Sequence, residues 1–148
     1  MSQRLDTNTL LPTGLKAMGA LHAAVQDSGL DPGLIHLINV RASQINGCAY
    51  CLWLHTREAL AHGDTPERLA LLRVPDEGPF TERERAALAW TDAVTRIADA
   101  PVSDALYARV RAVYDEAELG ALNYAVIMIN AWNRLAIPFR KAPPIARD

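Results

Sequence analysis

The sequence predicts an all-α protein, a compact bundle of about six to seven helices. Three observations carry that expectation. Apolar residues recur at three- and four-residue spacing over most of the chain. No segment alternates apolar and polar residues as a half-buried strand would, and there is no Gly-rich phosphate loop. Helix start and stop signals punctuate the pattern.

Taken in order, Thr13 to Gln26 carries Leu15, Met18, Leu21 and Val25 at helical spacing, and Ser28-Gly29 closes it. Asp31-Pro32 is an N-cap followed by proline at the first helical position. From there Leu34, Leu37, Ile38, Ala42 and Ile45 trace a stripe that Asn46-Gly47 ends. A third helix runs from Cys48 to His62, and Thr65-Pro66 starts a short fourth that reaches Leu72. The stretch Val74 to Phe80, rich in Pro, Gly and Asp, is the one clear internal loop. Thr81 with Glu84 forms a capping box for a helix bearing Ala86, Ala89, Trp90, Ala93, Val94 and Ile97 on one face. Ser103 opens another with Leu106, Val110 and Val113. Asp115 with Glu118 opens the last and longest, which Pro138 must end. That helix is apolar on more than one side, as expected of a central core helix, a subunit interface, or both.

A chain of 148 residues suits one domain, which buries roughly two-thirds of its unfolded surface. Half the residues are apolar and 22% are charged, a globular composition. A net charge of −2 gives no electrostatic reason to expect nucleic acid or an anionic membrane as partner. Apolar runs are interrupted before the ~18 residues a membrane span needs. The start, Met-Ser-Gln-Arg-Leu-Asp, lacks the pattern of a secretory signal, so a cytoplasmic, reducing location is expected. In that compartment two cysteines three apart point to catalysis or metal binding more than to a structural bridge.

Cys48-x-x-Cys51 at a helix start is the strongest local signal. A helix N-terminus favours a thiolate, and only the thiolate attacks peroxides or disulfides usefully. Moving a cysteine pKa from about 8.5 to about 6.5 takes roughly 2.7 kcal/mol. A helix terminus supplies ~0.3–1 kcal/mol and at most ~2. A further base or cation is therefore required. His55, four residues after Cys51, lies on the same face and can accept its proton or stabilise its thiolate. Cys48, one turn earlier, is placed to resolve an oxidised Cys51 into a disulfide. If Asn46-Gly47 joins antiparallel helices, His36 comes within one turn of the level of His55. Tyr50 reads equally as a proton-path hydroxyl or a packed ring. Glu58 reads as a solvated carboxylate rather than a partner for His55. His22 and His62 read as structural. The stripe Asn123, Ile127, Asn130, Arg134 is an interface, a polar lining or a plain polar face.

The run Arg41-Ala42-Ser43-Gln44-Ile45-Asn46-Gly47-Cys48-Ala49-Tyr50-Cys51, followed by His55-Thr56-Arg57-Glu58-Ala59, resembles the core motif of the alkylhydroperoxidase D-like family of the carboxymuconolactone decarboxylase superfamily. Thr81–Trp90 and Ile129–Ala136 are also similar to its short members, so the resemblance spans about residues 30 to 140. It implies a single domain over residues 1–148, with a core motif at 34–62 and a tail at 138–148. It further implies an all-helical subunit that forms trimers or hexamers, and a thiol peroxidase with no cofactor beyond its redox-active disulfide. A dithiol partner would reduce that disulfide. By position, Cys51 matches the peroxidatic cysteine, Cys48 the resolving one and His55 the proton relay. Tyr50 falls where some members have a relay histidine. His36 departs from the pattern, standing where the family usually has the glutamate that heads the relay. A carboxylate would stabilise protonated His55 and a histidine would not, so a weaker relay and a more alkaline optimum are expected.

Leu52, Trp53 and Leu54 near the cysteines would suit organic hydroperoxides. Three other readings stay open: a dithiol-exchange or redox-sensing protein, a Cys₂His₂ zinc site from Cys48, Cys51, His55 and His36, and the superfamily's decarboxylase activity, for which the cysteine pair has no evident use.

Overall fold

Local signals in the sequence determine most element boundaries. The computed structural model describes residues 2–145. It contains α1 (Thr7–Leu10), α2 (Pro12–Gln26), α3 (Pro32–Asn46), α4 (Ala49–Ala61), α5 (Pro66–Leu71), α6 (Glu82–Thr95), α7 (Asp104–Arg111) and α8 (Glu116–Ala136). Among the described residues there is no strand, and no helix is long and apolar enough to cross a membrane. Asp31, Thr65, Thr81, Ser103 and Asp115 each cap their helix with a side-chain oxygen, and the last two acidic partners complete boxes at Thr81–Glu84 and Asp115–Glu118.

Three boundaries differ from expectation. Helix α1 has no apolar period to announce it; Asp6 alone marks its start, accepting the Asn8 N–H at 3.0 Å. Helix α6 stops at Thr95, because Arg96 leaves helical geometry and Asp99 N donates to Arg96 O at 2.8 Å. Ile97 is thereby taken off the helix face and left 60% exposed. Val113 lies beyond the end of α7 yet still packs on the core.

Helix α3 is the centre of the bundle, packed chiefly on α4, α6 and α8. One of its sides, Leu34, Ile35, Ile38 and Ala42, joins Ala86, Ala87 and Trp90 of α6 and Leu122, Val126 and Ile129 of α8. Its other side, Leu37 and Val40, joins Ala59, Leu69, Leu72, Phe80 and Leu88. Burial on both sides gives α3 a wider apolar surface than the single stripe read from the sequence; each large apolar side chain so buried contributes about 1.5–3 kcal/mol. Arg41 is buried too, and its guanidinium grips Asp92 of α6 through two bonds of 2.7 and 2.6 Å. That bidentate geometry locks the α3–α6 register next to the cysteine turn. Helix α8 is the expected core helix, and its outer side leaves Tyr124 and Ile127 exposed.

The segment before α1 meets the segment after α8. Arg4 N donates to Phe139 O at 2.9 Å and its guanidinium to Pro138 O at 3.1 Å. This pairing brings α1 and the segment after α8 together, beside the candidate site.

Candidate active site

Gly47 ends α3 in the left-handed region, with φ of 70°, which a side-chain-bearing residue adopts only with strain. The chain then reverses into Cys48, the N-cap of α4. Its sulfur takes the role a Ser or Asp oxygen usually plays, accepting the Cys51 N–H at 3.3 Å. The Cys48 N–H in turn donates to Ser43 O at 3.1 Å. Cys48 and Cys51 are joined in a disulfide, with Cα atoms 5.3 Å apart, and are 2% and 4% exposed.

Beneath this turn lies a polar cluster from α8. Asn133, fully buried, donates to Ser43 Oγ at 3.1 Å and accepts from Asn46 Nδ2 at 2.8 Å. Asn46 also donates to Asn130 Oδ1 at 3.0 Å, and Asn130 donates to Thr95 Oγ1 at 2.9 Å. The stripe on the last helix is thus part of the site's support. Asn130 and its neighbour Arg134, which donates to Asn130 Oδ1, hold the cysteine turn, while Asn123 accepts from the Trp90 indole. Ile127 faces outward.

His55 is buried, and its Nδ1 lies 2.7 Å from Glu58 Oε2. This corrects the expectation of a solvated Glu58. Spacing of three residues on one helix made the pair possible, and burial of the imidazole gives the carboxylate a reason to stay. The hydrogen bond from His55 holds the Glu58 carboxyl below its usual range against the opposing effect of burial; the charges of His55, His36 and His22 add to the lowering. A carboxylate can only accept, so Nδ1 carries a hydrogen towards Glu58 and Nε2 is the nitrogen left to exchange a proton.

Cys51, His55, Glu58 and Tyr50 line one cavity of ≈ 210 Å³, walled by Leu54, Trp132, Leu135 and Ala136 and bordered by Thr7, Asn8, His22 and Lys141. Of the apolar residues flagged beside the cysteines, only Leu54 reaches it. Leu52 packs into the second core cluster, and Trp53 lies between the Tyr50 ring and the Arg57 guanidinium. His36 does not border this cavity. It lines a neighbouring one, of ≈ 510 Å³, with His22, Asn39, Glu58 and His62. Its ring centroid is 5.3 Å from that of His62, and its buried Nδ1 has no hydrogen-bond partner. Burial is the main reason its pKa is lowered; the Glu58 carboxylate opposes the shift, and His62 and His55 reinforce it. Glu58 therefore stands between His55 and His36, bordering both cavities.

Cys48, Cys51, His55 and His36 do not converge as a zinc set would; among the described residues no group of three or more His, Cys, Asp or Glu side chains is arranged to hold a metal ion. Sequence reasoning missed His22 and Lys141. Neither carries a local signal, since one sits in an ordinary amphipathic helix and the other in the segment after α8. The pairing of the segments before α1 and after α8 and the packing of α2 against α8 bring them to the site.

Fold and site together define an all-helical protein built around a Cys-x-x-Cys disulfide that caps a buried helix start. The chain belongs to the carboxymuconolactone decarboxylase family, whose profile matches residues 12–93, and within it is an alkylhydroperoxidase D-like member. It is 37% identical to the uncharacterized protein YdfG of Bacillus subtilis over 93% of this chain and 94% of that one. A crystal structure of ATU0492 from Agrobacterium tumefaciens, a protein of unknown function assigned provisionally to antioxidant defence as an AhpD, superposes with a TM-score of 0.93. The two are 40% identical over 98% of this chain and 100% of that one. A peroxidase-related protein from Ralstonia eutropha JMP134, itself uncharacterized and described as an alkylhydroperoxidase AhpD core, shares the fold at 23% identity. Its TM-score is 0.80, over 93% of this chain and 74% of that one.

Proposed function

We propose that this chain is a thiol-dependent peroxidase that reduces organic hydroperoxides through Cys48 and Cys51. The observation that carries the reading is the convergence of Cys51, at the start of α4, with the His55–Glu58 pair on one largely apolar cavity.

In the reduced protein the Nε2 of His55 takes the Cys51 proton, and Glu58 stabilises the resulting imidazolium. The helix start favours the thiolate that remains. The thiolate attacks the distal peroxide oxygen; the O–O bond breaks, Cys51 becomes a sulfenic acid, and the leaving alkoxide takes the proton from His55 to become an alcohol. The Cys48 sulfur then displaces hydroxide from the sulfenic sulfur. Hydroxide leaves as water with the Cys48 proton, and the Cys48–Cys51 disulfide forms. An external dithiol restores both thiols by exchange. Tyr50 borders the cavity beside Cys51 and offers its hydroxyl to the proton path. His36 acts only through Glu58. Tyr124 and Ile127, exposed on α8, suit contact with further copies in a homo-oligomer.

The test is hydroperoxide consumption with an excess of a small dithiol, for the natural chain, Cys51→Ser and Cys48→Ser. Cys51→Ser is expected to be inactive, and Cys48→Ser to consume one equivalent of hydroperoxide when no dithiol is present and, with dithiol, to turn over without ever forming the Cys48–Cys51 disulfide. Activity surviving loss of Cys51 overturns the assignment. Disulfide exchange without peroxide turnover would instead mark a dithiol-exchange or redox-sensing protein.

A further inference from the structure

Two of the fifteen basic residues are lysines, Lys16 and Lys141. Among the described residues every ion pair uses arginine or His55, and Lys141 belongs to none. Its backbone N–H donates to Ala136 O at 3.1 Å, fixing the residue at the end of α8. Its ammonium lies 4.2 Å from the Tyr50 ring centroid, next to Cys51 in sequence, and borders the redox cavity. The same residue borders an outer hollow lined by Gln3, Arg4, Leu5, Asp6 and Asn8.

A partly buried ammonium beside apolar walls loses hydration, and the π face of Tyr50 compensates only in part. The neighbouring carboxylates make no ion pair with Lys141 among the described residues. Asp6 caps α1 through the Asn8 N–H, and Glu58 is bonded to His55. The cavity lining therefore brings together an ammonium that makes no ion pair among the described residues and Cys51 with its base. Leu54, Trp132, Leu135 and Ala136 lie along its wall. An apolar cavity of about 150 Å³ takes up benzene, so ≈ 210 Å³ admits a short hydrocarbon body.

We propose that Lys141 is the carboxylate-binding residue of this cavity, and that the substrate is a small organic hydroperoxide that also carries a carboxylate. The inference rests on the peroxidase reading above. Its electrostatics are consistent. An anion entering a cavity that holds Glu58 and a Cys51 thiolate is repelled unless Lys141 meets its charge. A lysine ammonium, compact and with three rotatable donors, accepts a carboxylate in several orientations and so tolerates chain-length differences.

The test measures kcat/KM for 5-hydroperoxy-5-methylhexanoate and for its methyl ester, with dithiothreitol as a fixed, uncharged reductant. The natural chain is expected to favour the acid by ~10-fold, through KM, with the ratio shrinking as salt is raised. In Lys141→Met the ratio falls to near one; in Lys141→Arg most of it remains. Because the ratio is internal to each variant, a general loss of fold does not mimic the result. Equal use of acid and ester by the natural chain, or a preference that survives Lys141→Met, overturns the proposal. If neither compound is reduced by the natural chain, the peroxidase reading fails by itself. Lys141 is then judged by calorimetric titration with 5-hydroxy-5-methylhexanoate and its methyl ester. Tighter binding of the carboxylate that is lost in Lys141→Met upholds the site, and indifference overturns it.

Discussion

Glu58 Oε2 lies 2.7 Å from Nδ1 of His55, three residues away on the same helix. This places a carboxylate behind the His55 imidazole from α4, whereas the family pattern has it on α3, at the position that His36 occupies in this chain. Removing it should be costly. Glu58→Gln keeps the shape and loses the charge, so kcat/KM for hydroperoxide is expected to fall ~10-fold or more at neutral pH, with partial recovery as rising pH ionises the Cys51 thiol unaided. Rate against pH for the two proteins checks this, and superimposable profiles would refute it.

The same pair has a signature in stability. Glu58 titrates below its ordinary value near 4.5, first because His55 hydrogen-bonds it. A carboxyl held low stabilises the fold fully above that ordinary value, and the contribution is lost as pH falls through the depressed one. Urea midpoints between pH 5 and 3 should therefore decline less steeply in Glu58→Gln than in the natural chain.

His36 supplies a third test. A carboxylate introduced by His36→Glu would stand beside Glu58, and like charges in one polar cavity raise each other's proton affinity. The single variant is thus expected to gain nothing, contrary to what the family pattern implies. In the Glu58→Gln background the repulsion is gone, and His36→Glu should restore part of the lost rate. Failure of that restoration would mean that only the α4 position can orient His55.

The helices were legible because their signals are local. Asp31-Pro32, Thr81 with Glu84, and Asp115 with Glu118 act within one turn of the elements they start. Cys48, Cys51 and His55 were legible for the same reason, since one helix start and one i,i+4 step place them together. Glu58 was visible but ambiguous. Whether it turns to His55 or to water depends on how deeply the imidazole is buried, and that is set by α2 and α8. Lys141 and His22 were illegible, because what brings them to Cys51 is the pairing of the segments before α1 and after α8 and the packing of α2 on α8. The short α1 lies in that same region and has too few residues to show a period.

Tyr114 gives an alkaline counterpart to Glu58. It is buried, its hydroxyl donates to Arg83 O at 2.8 Å, and burial pushes its pKa up to about 12. An unfolded tyrosine titrates near 10. The folded value is the higher one, so stability is fully present below about 10 and is lost as pH rises towards about 12. Ultraviolet titration should find one of the four tyrosines ionising near the upper value. Tyr114→Phe is expected to remove that step and to cost about 1 kcal/mol at neutral pH through the lost hydrogen bond.

The last prediction concerns the support under the disulfide. Asn133 bridges Ser43 and Asn46, the two residues that flank the end of α3, and Ser43 O also receives the Cys48 N–H. Asn133→Ala deletes both bonds in a site closed to water. Ser43 Oγ loses its donor, and Asn46 keeps only Asn130. Groups left unsatisfied in this way cost about 1–3 kcal/mol, and at ~2–4 °C per kcal/mol the melting temperature should fall by several degrees. The loosened turn also lets the sulfurs drift apart after reduction, so closure of the Cys48–Cys51 disulfide from the oxidised state should slow while the initial reaction of Cys51 with hydroperoxide is less affected. Calorimetry and stopped-flow tryptophan fluorescence separate the two effects. A variant that melts earlier but closes its disulfide at the natural rate would confine Asn133 to packing and leave the cysteine turn self-supporting.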